Sequence, residues 1–116
     1  MDVVTVENLT DDDYEETLAT ADRAVVDFYA AWCGQCVIFS RRFVGLAPHY
    51  PHVRFFVCTS DACPSLRESV DIEEVPYFGL YENGVFVGGF TTTDETQFRE
   101  QLEARFGASP PPEMLC

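Results

Sequence analysis

Ala24-Val25-Val26-Asp27-Phe28-Tyr29-Ala30-Ala31-Trp32-Cys33-Gly34-Gln35-Cys36 is the stretch from which the rest of the 116-residue chain can be read. Ala24 to Ala31 is apolar on both faces apart from Asp27, the pattern of a strand buried in the middle of a sheet. A helix is expected from Cys33 or Gly34 to about Ala47. Val37, Ile38, Phe43, Val44 and Ala47 recur near helical spacing, and Pro48 stands as a stop. The Cys-x-x-Cys pair therefore falls where a strand passes into a helix. That placement sets the first sulfur beside the free N–H groups of the helix start, which favours thiolate over thiol. It also brings a second thiol within one turn, near enough to attack a mixed disulfide formed on the first. The other readings of such a pair are half of a zinc site or two inert core thiols. An acid in a run as apolar as that around Asp27 is expected to be desolvated, with its pKa raised. Six residues before Cys33, it is placed to exchange a proton with Cys36; the alternative is an acid at the strand edge reaching water.

Working outward, Val3 to Val6 reads as a short strand, followed by a helix capped by Thr10 and opened by Asp11, Asp12 and Asp13. Val53 to Cys58 reads as a strand, and Pro64 suits the first position of a short helix over 64–70. Tyr77–Tyr81 and Val85–Phe90 flank Asn83-Gly84, a strong hairpin signal, and Val75-Pro76 precedes the first of them. The last helix is expected to start near Thr92 or Thr93, with Thr92 and Glu95 at capping-box spacing, Phe98, Leu102, Arg105 and Phe106 along one face, and Gly107 closing it. Pro110 to Pro112 forbid helix beyond. The expected organisation is one domain over 1–107 and a mobile tail over 108–116. The order β-α-β-α-β-α-β-β-α describes an α/β fold, a mostly parallel sheet ending in an antiparallel hairpin, with helices on both faces.

Twenty acidic residues against seven arginines and no lysine give a formal charge of −13. A body of that sign repels phosphate backbones and anionic membrane surfaces, which argues against nucleic-acid or membrane binding. No apolar run is long enough to span a bilayer, and the acidic start lacks the features of a secretory or transit signal, so a cytoplasmic location is expected.

Taken together, these residues resemble the thioredoxin family. Val26 to Cys36 is similar to that family's active-site block, and Glu74-Val75-Pro76-Tyr77-Phe78 followed by Tyr81-Glu82-Asn83-Gly84 is similar to its proline loop and hairpin. The resemblance implies a thioredoxin fold and a thiol–disulfide oxidoreductase reducing protein disulfides without a bound cofactor or metal. Cys33 would be the attacking thiol, Cys36 the resolving thiol and Asp27 the buried proton-transfer acid. Pro76 would be a cis-proline facing the pair, with Val75 offering backbone hydrogen bonds to an extended substrate segment and Trp32 and Gly34 shaping the docking surface. It also implies disulfide-containing protein substrates, a thioredoxin-reductase-type flavoenzyme as electron donor, and a monomer.

The sequence departs from the family at several positions. Gln35 replaces proline, a change that generally makes the pair more oxidising. Val37 and Val57 stand where charged residues are common, and Arg41 replaces a mid-helix proline, so no kink is expected. The third docking loop is met either by Gly88-Gly89 or by Thr92. Two rival readings follow: an oxidant or isomerase, and an acidic interaction module with an incidental dithiol. Cys58 and Cys63 read as a buried apolar filler and an incidental thiol, with a regulatory disulfide or a four-thiolate site as alternatives. Cys116 reads as an incidental terminal thiol, and His49 and His52 as surface residues.

Overall fold

A computed structural model describes residues 6–30, 32–59, 62–70, 72 and 74–110. The expected strand over 3–6 lies outside these except for Val6, as do Ala31 and the tail from 111 to 116, including Cys116. Among the described residues five strands make one sheet: β1 (Glu7–Asn8), β2 (Ala24–Tyr29), β3 (Arg54–Thr59), β4 (Tyr77–Glu82) and β5 (Val85–Thr91), in spatial order β1-β3-β2-β4-β5. β2 lies parallel to β3, and β3 parallel to β1; β4 runs antiparallel to both β2 and β5. Central β2 is buried along almost its whole length, as its apolar composition requires.

Alternation along β2 divides the core in two. Val25, with Phe55, Val57, Phe78 and Leu80, faces helices α2 (Gly34–Leu46) and α4 (Glu95–Phe106). Ala24, Val26 and Phe28 face α1 (Tyr14–Ala19) and α3 (Pro64–Glu68). On the first face Phe43 meets Phe55 at 4.8 Å between ring centres and Phe78 meets Phe98 at 5.0 Å. Such ring pairs contribute about 0.5–1.5 kcal/mol each beyond their burial, and here they fix α2 on the sheet. Asn83 and Gly84 carry φ of 52° and 85°, the pair of positive values a two-residue hairpin turn demands.

Several local expectations are corrected. The buried stripe of α2 is Cys36, Phe39, Phe43 and Leu46, while Val37, Ile38 and Val44 are exposed. Apolar residues surround this helix, so periodicity alone could not choose its inner face. Past Leu46, Pro48 sits inside one short 3₁₀ turn, Ala47–His49, and the helix bears no break at Arg41. Asp13, not Thr10, precedes α1, its carboxylate accepting the Thr10 N–H at 3.0 Å, so 11–13 form a turn before the helix. Asp94, not Thr92, caps α4 by accepting the Gln97 N–H at 3.0 Å. Thr92 instead accepts the Asp94 N–H at 3.0 Å. His52 is buried rather than on the surface, with Nε2 2.8 Å from the carbonyl of Gly107 at the end of α4.

Candidate active site

The run Cys33-Gly34-Gln35-Cys36 turns the end of β2 into the first turn of α2. Cys33 is the N-cap residue, in extended conformation with φ −90° and ψ 105°, and its Sγ accepts the Cys36 N–H at 3.2 Å. The two sulfurs are joined in a disulfide, with Cα atoms 5.3 Å apart. Exposure distinguishes the two: Cys33 is half-buried and Cys36 fully buried. Residues 34–37 carry no charge, and within this turn the N–H groups and dipole of α2 stabilise the Cys33 thiolate when the pair is reduced. Trp32, just before the pair, is 82% exposed, and Gly34 is exposed with open space where a Cβ would stand.

Asp27 belongs to the same face of β2 as Val25, beneath α2. It is paired in register with Val57 on β3 and Phe78 on β4, and its side chain is 1% exposed. Neither carboxylate oxygen has a hydrogen-bond partner among the described residues. Burial alone pushes its pKa from 3.8 up to about 7, so near neutral pH the acid is poised to take or give a proton.

The Val75–Pro76 peptide bond is cis. Gln35 joins this loop to the start of α2: with Glu74, Val75, Pro76, Thr91 to Asp94 and Gln97 it lines a hollow of about 310 Å³. A second hollow of about 260 Å³ shares Gln35, Thr93 and Asp94 and runs on along Ile38, Phe39 and Arg42. A groove thus passes beside the dithiol, walled by the proline loop on one side and by Thr91–Asp94 on the other. Thr92 lines this groove, whereas Gly88 and Gly89 are paired inside the sheet with Leu80 and Gly79. Thr91 Oγ1 donates to the Pro76 carbonyl at 2.7 Å, tying the two walls together. Sequence reasoning missed Thr91 and Gln97, because nothing local to them signals which loop they meet.

The remaining cysteines lie elsewhere. Cys58 and Cys63 are buried with the α1–α3 face, so they do not converge with Cys33 and Cys36. Among the described residues no group of His, Cys, Asp and Glu is placed to hold a metal ion, and no helix is long and apolar enough to cross a membrane.

Comparison with known proteins agrees with this geometry. The family model described as Thioredoxin matches residues 5–104. Mouse thioredoxin is 34% identical over 93 residues, covering 78% of this chain and 85% of its own. Thioredoxin-3, mitochondrial, of Saccharomyces cerevisiae is 29% identical over 96 residues, covering 83% of this chain and 74% of its own. The crystal structure of that yeast mitochondrial thioredoxin 3 in its oxidised form superposes with a TM-score of 0.77 at 27% identity, covering 85% of this chain and 94% of the other. With a disulfide closed across Cys33 and Cys36 in a fold and sequence of this kind, the chain belongs to the thioredoxin family and is a thiol–disulfide oxidoreductase, a protein-disulfide reductase.

Proposed function

We propose that Cys33 and Cys36 are the working pair of a domain spanning 1–107. It acts as a monomer on disulfides of other proteins in a reducing compartment, the cytoplasm, and is re-reduced by a thioredoxin-reductase-type flavoenzyme. The observation that carries the roles is a half-buried Cys33 at the helix N-cap, its sulfur accepting the N–H of a fully buried Cys36. The Cys33 thiolate attacks one sulfur of a target disulfide, and the other target sulfur leaves as thiolate. Cys36 then loses its proton and attacks the Cys33 sulfur, releasing the second target sulfur and leaving the Cys33–Cys36 disulfide. Two electrons pass to the target. Asp27 accepts the Cys36 proton, a role suited to an acid held near 7. The target segment lies extended in the groove over Gly34, against the exposed Trp32, and hydrogen-bonds the backbone of Val75 beside Pro76. The free thiols Cys58 and Cys63 suit a reducing compartment.

Replacing Cys33 by Ser tests this reading: reduction of a protein disulfide should be abolished, while Cys58→Ser and Cys63→Ser retain most of it. Full activity in the Cys33 variant would overturn it. The exposed Gln35 beside the pair favours a second reading, an oxidant or isomerase. The reduction potential decides between them, about −270 mV for a reductant and about −180 mV for the alternative.

A further inference from the structure

Behind the sheet from the Cys33–Cys36 pair, Cys58 near the end of β3 and Cys63 at the N-cap of α3 are free thiols, both fully buried. A turn sets Thr59 against 62–63: the N–H groups of Ala62 and Cys63 both donate to the Thr59 carbonyl, at 3.2 Å each. That turn brings the Cys58 thiol to 3.5 Å from the Cys63 carbonyl, to which it donates, and sets the two thiols in direct interaction. Two more polar atoms of this region are buried with no hydrogen-bond partner among the described residues, the Tyr81 hydroxyl and Arg67 Nη1. Tyr81 feels both thiols, and the Arg67 charge favours the Cys58 thiolate while Asp11 opposes it. Stranded polar atoms cost stability, here as at the Asp27 carboxylate on the other face.

We propose that Cys58 and Cys63 are a second redox pair, closing to an intramolecular disulfide by exchange with a low-molecular-weight disulfide. In the first step the Cys63 thiolate attacks one sulfur of the small disulfide, and the other sulfur leaves as a thiolate. In the second, Cys58 loses its proton, attacks the Cys63 sulfur and expels the remaining small thiolate. Two protons and two electrons leave the protein, and two small thiols are produced. Because both sulfurs are buried, attack requires local opening of the five-residue α3, so this pair oxidises more slowly than Cys33–Cys36. Closure fastens the start of α3 to β3. The chain then carries two redox couples on opposite faces of one sheet.

The native, fully reduced chain is incubated with oxidised glutathione, sampled over time, unfolded and alkylated in denaturant, and digested with trypsin. With no lysine in the chain, cleavage after arginine puts Cys33 and Cys36 on residues 24–41, Cys58 and Cys63 on 55–67, and Cys116 on 106–116. The expected result is rapid loss of both alkylation sites from 24–41, then slower loss of both from 55–67, which then lies about two mass units below its unalkylated dithiol form. In the Cys63→Ser chain, Cys58 should stay alkylatable throughout. The proposal is overturned if 55–67 keeps two alkylated thiols long after 24–41 is oxidised, or if it stops at a glutathione adduct on one cysteine. Either outcome leaves the Cys33–Cys36 reading intact, since 24–41 reports on it separately.

Discussion

Replacing Asp27 by Asn removes the buried acid's charge with little change of shape, and the structure sets how that should alter stability with pH. Raising its pKa from 3.8 to about 7 makes ionisation in the folded chain harder by about 4 kcal/mol. Below the unfolded value the acid is protonated in both states and imposes no penalty. As pH rises above 3.8 the unfolded chain ionises while the folded chain cannot, so stability falls, and the loss levels off only once the folded acid ionises above about 7. From about pH 5 to about pH 8 the wild-type chain should therefore lose about 3 kcal/mol through this residue. The Asn variant should not, since its amide does not titrate. Urea unfolding of both chains, with Cys33–Cys36 oxidised and the transition followed by far-ultraviolet circular dichroism, measures the difference directly. A variant-minus-wild-type difference that stays constant to within about 0.5 kcal/mol over this range would refute the reasoning. It would mean that the Asp27 carboxylate is solvated or paired in a way its burial does not indicate.

Three other outcomes follow from the packing. Phe43→Ala, which empties a fully buried ring site touching Phe55, Phe78 and Phe98, should cost about 3–5 kcal/mol by denaturant titration. Gly89→Ala places a methyl group against the Tyr77 hydroxyl and 2.8 Å from the Phe78 carbonyl oxygen, so a loss of about 2 kcal/mol is expected; an unchanged midpoint would show that Tyr77 swings aside freely. Thr91→Val removes the hydroxyl donated to the Pro76 carbonyl, and kcat/KM for protein-disulfide reduction should fall about fivefold, the equivalent of about 1 kcal/mol, with the melting temperature nearly unchanged.

The features that were legible before the structure share one property: their causes are local. The apolar run of β2, the strand-to-helix junction at Cys33, the Asn83-Gly84 turn and the glycine stop at Gly107 each depend on residues within a few positions. Asp27 was legible because a charge in an apolar run stands out however the chain folds. The inner face of α2 was not, since Val37, Ile38 and Val44 are as apolar as the residues that are buried, and only docking on the sheet selects 36, 39, 43 and 46. His52 was misread for a similar reason: its partner is the Gly107 carbonyl, 55 positions away. Thr92, three positions before Glu95, had the spacing of a cap, but Asp94 sits nearer the first turn and competes better for its N–H groups.

By itself, the sequence determined the order of elements, the place of the dithiol at a helix start and the chemistry available there, because strand and helix periodicity, turn stereochemistry and thiol reactivity are short-range properties. Tertiary structure decided what stands around that chemistry. It set Thr91 against Pro76 to close a groove, left the Asp27 carboxylate without a described partner beneath α2, and brought Cys58 and Cys63 together on the opposite face. Burial and contact between chain segments far apart in sequence depend on how the elements pack, and no local pattern encodes that packing.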